Sequence, residues 1–312
     1  MTWKILLTDG LEEGGQAILR EAGEVHDKTG ISADDLLQIV GEYDALIVRG
    51  RTKVTPAVFE AGKKLKVVGR AGVGVDNIDL AAAKAHKVTV VNSPLATTGA
   101  VAELALGLML SVVREIGRAD ATMKAGKWIK KELEGGELNG KTLGVIGFGR
   151  IGSTTAKLAS AFGMKIIAFD PLIPADEIKK RGGEPVSLDE LYKQSDMITM
   201  HIPLTNDSRG MMNADSFEKM KKGVYIICAA RGGVIDEAAL LAALNSGKVA
   251  GAGLDVFATE PPGLTELVAH PKVVCTPHIG AQTVEAQARA AVDISTEVLA
   301  ALGDKPLRWK VA

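Results

Sequence analysis

Short, largely β-branched apolar runs recur along the chain. They lie at residues 4–8 (KILLT), 45–49 (ALIVR), 65–69 (LKVVG), 88–92 (VTVVN), 142–147 (TLGVIG), 165–170 (KIIAFD), 197–202 (MITMHI), 224–229 (VYIICA) and 273–277 (VVCTP). Between most of them, apolar residues shift to helical spacing. Near-continuous apolar strands alternating with helices predict parallel sheets covered on both faces. Two sheets of moderate size suit the number of runs better than one large sheet.

One stretch breaks the alternation. From Thr98 to Lys124, Val101, Leu104, Ala105, Leu108, Val112 and Ile116 recur at i, i+3/i+4 spacing. A single helix there would span about 40 Å at roughly 1.5 Å per residue. That is longer than a crossover needs, and it suits a domain bridge or a subunit contact. A final helix is expected over about 283–302. Ser187-x-x-Glu190 reads as a capping box, and Asp236 as the cap of a helix that ends on Gly247.

Composition narrows the class. The chain has 312 residues, 46% of them hydrophobic, enough for one or two packed domains. A net charge of −1 provides no general field to recruit nucleic acid or an anionic membrane. Cys228 and Cys275 both lie in apolar runs, so a reduced compartment suits them better than a disulfide framework. The N-terminus opens on a strand pattern rather than a signal peptide, and no apolar run is long enough to span a bilayer. A cytoplasmic protein is expected, with neither nucleic acid nor membrane as partner. No metal-ligand motif stands out.

The chemistry begins at Gly147-x-Gly149-x-x-Gly152. The glycine spacing alone is a weak signal, but its context is specific: a buried strand precedes it and a helix follows. The next strand ends on Asp170, where an acidic residue can bind the adenosine ribose hydroxyls. In such a loop the first glycine permits the turn, and the second lets backbone approach the pyrophosphate. The third packs helix on strand, and the helix N-terminus faces the phosphates. Asp170 favours NAD over NADP, because a carboxylate repels a 2′-phosphate; the nearest following basic residue is Lys179. Gly72-x-Gly74 also follows a strand but has Asn77 in the third glycine's place. It reads as a strand-end turn or as a nest of N–H groups for an anion.

Candidates for acid/base work are few. His26, His86 and His270 sit in polar surroundings and read as exposed. His201 ends a strand and could line a cofactor site. His278, in CTPHIGAQT, follows a buried strand at a sheet's C-terminal edge, where open α/β folds bind ligands. Arg231, in CAARGGVIDE, sits at another strand end, with a salt bridge as its ordinary alternative. Glu260, in ATEPPG, reads by default as a surface carboxylate.

GFGRIG, ARGGVIDE, LDVFATEPP and TPHIGAQT stand in an order and spacing that resemble the D-isomer-specific 2-hydroxyacid dehydrogenase family. VVGRAGVGVDNID, NSP with TTGAVAELALGLML, and ELNGKTLGVIGFGRIG resemble its phosphoglycerate-oxidising branch. The resemblance covers essentially the whole chain. It implies two Rossmann-like α/β domains with parallel sheets. A nucleotide-binding domain, about 95–282, would be inserted into a split substrate-binding domain, 1–94 with 283–312. The active site would lie in the cleft between them, and the helix from Thr98 would form the contact of a homodimer, with pairing into tetramers left open.

The resemblance also implies roles. His278 would be the acid/base, Glu260 its partner carboxylate and Arg231 the substrate-binding arginine. These residue types suit those roles, since imidazole titrates near neutrality and arginine's fork matches a carboxylate. The cofactor would be NAD, held by Gly147, Gly149, Arg150, Ile151, Gly152 and Asp170. Val73, Ile202, Ala229, Ala230, Arg231, Asp255, His278, Ile279, Gly280 and Ala281 would complete its site, with Asp255 on the nicotinamide amide. Gly72, Val73 and Gly74 would take the substrate carboxylate. Arg49 and Arg70, with Lys130 of a partner subunit, would take a phosphate. Cys228-Ala229 departs from the Asn-Cys common in related chains, though a backbone contact tolerates the change. Lys130 stands where some relatives carry arginine.

The reaction so implied is NAD-dependent oxidation of the small-molecule 2-hydroxy acid D-3-phosphoglycerate, the first step of serine biosynthesis. The nearest alternative is a glyoxylate or hydroxypyruvate reductase. A more distant one is a corepressor-like dinucleotide sensor, which would carry added interaction segments. Glu260 argues against the formate dehydrogenase variant, which has glutamine beside the histidine. The chain ends at Ala312, and no C-terminal regulatory domain is expected.

Overall fold

The computed structural model describes residues 2–312. In chain order the strands are β1 Trp3–Leu7, β2 Gly23–Asp27, β3 Ala45–Val48, β4 Val67–Arg70, β5 Thr89–Asn92, β6 Thr142–Ile146, β7 Lys165–Phe169, β8 Glu184–Pro185, β9 Met197–Met200, β10 Val224–Cys228, β11 Val249–Leu254 and β12 Val273–Cys275. The helices are α1 Glu13–Arg20, α2 Ala33–Ile39, α3 Pro56–Ala61, α4 Leu80–Ala85, α5 Thr98–Val113, α6 Ile116–Lys124, α7 Arg150–Ala161, α8 Ala175–Lys180, α9 Leu188–Gln194, α10 Ala214–Lys219, α11 Glu237–Asn245 and α12 Val284–Leu302. The chain divides into two compact units. Residues 2–97 join Ala281–Ala312 in a split unit, and Thr98–Gly280 forms a central unit.

The split unit is built on a parallel five-stranded sheet of order β2-β1-β3-β4-β5. Ile5, Leu6, Leu7 and Ala45 through Val48 are buried, as sheet-core strands require. α12 packs on α1, β4 and β5. Its buried Glu297 accepts hydrogen bonds from Arg308 N, Arg308 Nε and Trp309 N, which fixes the last residues along β5.

The central unit holds a parallel seven-stranded sheet of order β12-β11-β10-β9-β6-β7-β8. The chain enters at β6, runs outward through β7 and β8, then returns to β9 on the other side of β6. That reversal makes β6/β9 the topological switch point, the place where doubly wound sheets bind ligands.

Three strands were not legible in the apolar pattern. β2 (GEVHD) is a polar edge strand, and β8 has two residues. β11 (VAGAGL) has only small residues at its centre because α5 lies directly on it. A Cβ on Gly251 would meet Val112 Cγ1 at 2.6 Å, and one on Gly253 would meet Leu108 Cβ at 2.9 Å. The single helix expected over Thr98–Lys124 is two helices. α5 stops at Val113, whose carbonyl accepts a hydrogen bond from Gly136 N, and Glu115 turns left-handed at φ +51°. None of the α6 residues is buried, and Ile116 is 50% exposed rather than in the core. The Ser187 capping box and the Asp236 cap are both present.

Candidate active site

The glycine loop lies at the switch point, and each glycine has a separate reason. Gly147 has φ +86°, and a Cβ there would meet His201 O and Ile202 Cγ2, both at 2.6 Å. The tips of β6 and β9 thus close on each other around it. A Cβ on Gly152 would collide with the Gly147 carbonyl, so α7 sits tightly on the loop. Gly149 is different: nothing lies within 4 Å of where its Cβ would be. Open space stands at the N-terminus of α7. The helical ladder starts with Ser153 N donating to Gly149 O, which leaves first-turn N–H groups, those of Ile151 and Gly152 among them, for an external acceptor. This cradle fits a dinucleotide pyrophosphate.

Asp170 directly follows β7, beside the loop. Its Oδ2 accepts from Phe148 N at 2.8 Å and its Oδ1 from Leu172 N at 2.9 Å. Each oxygen keeps a lone pair for a ribose hydroxyl. The sequence put the nearest basic residue at Lys179, but in space Arg181 reaches this loop, donating to Phe148 O at 3.0 Å.

A second cluster collects on the loops after β10, β11 and β12. His278 Nδ1 and Glu260 Oε2 are 2.7 Å apart, and Glu260 Oε1 accepts from Phe257 N. With Nδ1 committed to a carboxylate, the ring carries its proton there and presents Nε2 as the acceptor. About half of the His278 side chain is exposed. Its backbone is left-handed at φ +53°, an uncommon conformation for a residue with a Cβ. Asp255 over-determines that loop. It is 1% exposed, its Oδ1 accepts from Thr276 Oγ1 and Ile279 N, and its Oδ2 accepts from Gly280 N. The Asp255 carbonyl accepts from His278 N. Three of the carboxylate's roughly four acceptor sites are therefore filled.

Arg231 lies on the neighbouring loop after β10, with Nη1 donating to Ala230 O. Gly232 lets that loop press on the Phe257–Ala258 backbone, where a Cβ would collide with the Phe257 carbonyl. Arg231, Glu260 and His278 thus come from loops held against one another. Burial pushes the Cys228 thiol up to about 11, so it stays protonated and is no nucleophile.

The other histidines differ in part from the sequence reading. His26 is half-buried in β2, with Nδ1 2.8 Å from Tyr43 Oη. His86 is exposed, and His270 is half-buried. His201, the alternative acid/base, turns inward: Nε2 meets Thr199 Oγ1 at 3.0 Å, and Nδ1 is buried without a partner. Burial pushes its pKa from 6.5 down to about 4. The unfolded chain therefore binds a proton that the folded chain refuses over that range. Stability from the neutral ring is full above pH 6.5, falls as pH drops through the window, and is constant below pH 4. By pH 5 the expected loss is about 2 kcal/mol, from the shift at 1.36 kcal/mol per unit. Urea unfolding of wild type and His201→Gln at pH 7.5 and pH 5 should show wild type losing that much more. Equal losses would remove His201 as the cause.

In the split unit, Arg49 follows β3 and Arg70 ends β4, in register beside Val48. Arg49 N donates to Asp9 Oδ2, and Arg49 Nη2 to Gln282 Oε1. The Arg70 guanidinium lies over Gly72, where a Cβ would collide with Nη1 and where φ is +142°. Gly72 N already donates to Ser93 Oγ at 2.7 Å, so the nest offers Val73 and Gly74 N–H rather than all three. Arg51 folds back onto Asp9 and the carbonyls of Thr8 and Ile31. Lys130 is exposed in a short 3-10 turn. Sequence reasoning missed Asp9, Asn77, Asn92 and Ser93, which hold these loops. Asp9, Asn92 and Ser93 are polar residues at or just after strand ends, and Asn77 lies in the loop that follows β4. Among the described residues, no cluster could hold a metal and no helix is long and apolar enough to cross a membrane.

A family profile described as "D-isomer specific 2-hydroxyacid dehydrogenase, NAD binding domain" matches residues 106–280, more than half of the chain. The chain is 49% identical over 301 residues to D-3-phosphoglycerate dehydrogenase 2, chloroplastic, of Arabidopsis thaliana, covering 96% of this chain and 48% of that one. It is 47% identical over 305 residues to the hydroxypyruvate reductase of Thermotoga maritima, covering 96% and 99%. The solved structure of the TT0316 protein from Thermus thermophilus matches with a TM-score of 0.90 at 34% identity, covering 99% and 100%. The chain belongs to the D-isomer specific 2-hydroxyacid dehydrogenase family, and its central unit carries that family's NAD-binding domain. It spans about half the length of the phosphoglycerate dehydrogenases it matches.

Proposed function

We propose that the chain oxidises D-3-phosphoglycerate to 3-phosphohydroxypyruvate with NAD, the reaction that opens serine biosynthesis. The observation that carries the acid/base step is His278, its Nδ1 held by Glu260 and its Nε2 free. When bound, NAD supplies the hydride acceptor, its nicotinamide C4. Gly147, Gly149, Arg150, Ile151 and Gly152 hold the pyrophosphate, and Asp170 the ribose. Ile202, Ala229, Ala230, Ile279, Gly280 and Ala281 line the rest of the site. Asp255 keeps one acceptor position for the nicotinamide amide while fixing the His278 loop.

His278 Nε2 takes the C2 hydroxyl proton as the hydride leaves C2. Glu260 holds the ring in the required tautomer. Arg231 binds the substrate carboxylate and polarises the C2 oxygen. Within the split unit, the Val73 and Gly74 N–H groups are the candidates for a substrate carboxylate and Arg49 and Arg70 those for its phosphate, with Lys130 of a second copy assisting. Exposed Ile116, Met123 and Trp128, at 50%, 56% and 78%, support a homodimer through α6 and the segment after it. The cysteines are free, which supports a cytoplasmic setting.

A second reading, hydroxypyruvate or glyoxylate reduction, is favoured by the full-length likeness to the Thermotoga reductase. Initial rates separate the two. NAD should support oxidation of D-3-phosphoglycerate well ahead of D-glycerate and D-lactate. Fast NADH-linked reduction of hydroxypyruvate or glyoxylate, with little phosphoglycerate oxidation, would select the second reading.

A further inference from the structure

The peptide that opens the pyrophosphate cradle is held from behind by a residue outside the glycine motif. Phe148 is fully buried, and its N–H and C=O are both engaged. The N–H donates to Asp170 Oδ2 at 2.8 Å, and the carbonyl accepts from Arg181 Nη1 at 3.0 Å. Arg181 is itself aimed by Glu177, whose Oε1 accepts from Arg181 Nε at 2.9 Å one helical turn earlier. The neighbouring Gly183 closes the socket, since a Cβ there would meet Phe148 Cζ at 2.6 Å.

Peptide planarity turns this into a statement about the cofactor. In a trans peptide the carbonyl of one residue and the N–H of the next point in opposite directions. Fixing the Phe148 carbonyl toward Arg181 therefore fixes the Gly149 N–H away from it. A cation on the carbonyl also polarises the peptide and strengthens its N–H as a donor. We propose that Arg181 is a positioning residue for the dinucleotide pyrophosphate, acting through the Phe148–Gly149 peptide without touching the ligand. The proposal rests on reading the glycine loop as the pyrophosphate site.

The test is ligand binding by titration calorimetry, with ADP-ribose and adenosine as probes. Only ADP-ribose carries the pyrophosphate. Arg181→Met should weaken ADP-ribose about tenfold, the order of losing one charge-assisted hydrogen bond through an intermediate group, and should leave adenosine within twofold. Arg181→Lys keeps the cation and should recover most of the loss. Glu177→Gln should fall between wild type and Arg181→Met. The KM for NAD should rise with the ADP-ribose dissociation constant, while kcat at saturating NAD stays within twofold. Arg181 is about one third exposed at the end of α8, and adenosine binding at wild-type affinity reports an intact fold in each variant. Unchanged ADP-ribose affinity in Arg181→Met, or an equal loss for adenosine, would overturn the proposal. Asp170→Ala separates the two failures. If it weakens both probes while Arg181→Met weakens neither, only the role of Arg181 falls. If neither variant affects either probe, the reading of the loop falls with it.

Discussion

Replacing His278 by alanine is expected to lower kcat by roughly a hundredfold to ten-thousandfold, the range for removing a general acid/base. NADH affinity should hardly change, because the glycine loop and Asp170 form a separate cluster with its own hydrogen bonds. The effect should be large because the site invests in this one ring. Glu260 fixes Nδ1, and Asp255 holds the loop through Thr276, Ile279 and Gly280 in a backbone conformation a side chain rarely adopts. No second imidazole stands ready: the His201 ring is turned into the protein, and burial holds its pKa at about 4. Stopped-flow hydride transfer with wild type and His278→Ala measures the step directly. A variant with wild-type rates would end the assignment.

Arg70→Ala is expected to cost about a hundredfold in kcat/KM for phosphoglycerate and to leave glycerate turnover nearly unchanged. A guanidinium on a dianion forms paired charge-assisted hydrogen bonds, each worth about 1.5–3 kcal/mol. The placement of Arg70 supports the size of the effect. Its guanidinium lies over Gly72, and Arg49 leaves the adjacent strand beside it. Equal losses on both substrates would instead mean that Arg70 shapes the nest and leaves the phosphate alone. Steady-state kinetics on the two substrates decide between these roles.

Strands buried on both faces, such as Ile5–Leu7 and Ala45–Val48, announce themselves in sequence because no polar residue interrupts them. β11 does not, since Gly251 and Gly253 are chosen for the helix that lies on them rather than for the strand. The break between α5 and α6 was hidden for a similar reason. Its cause is the Val113 carbonyl being taken by Gly136, a contact made by a distant segment. At the candidate site, Gly147 and Gly152 were legible because the tight strand-to-helix turn after β6 demands them, and Asp170 because it directly follows the next strand. His278 was legible as a strand-end residue, but its pairing with Glu260 came from resemblance, since nothing in an 18-residue separation predicts a hydrogen bond. Arg181 was missed outright: by sequence it is a helix-end cation, and only the fold carries it to Phe148.

The proposal that this chain acts on a phosphorylated 2-hydroxy acid is open to one decisive ratio. That ratio is the wild-type kcat/KM for D-3-phosphoglycerate over D-glycerate, with NAD, at fixed ionic strength. Losing two charge-assisted hydrogen bonds sets the scale, and a value of at least about one hundred is expected. A value near one would refute the proposal and leave the unphosphorylated keto-acid reductase as the reading of the site.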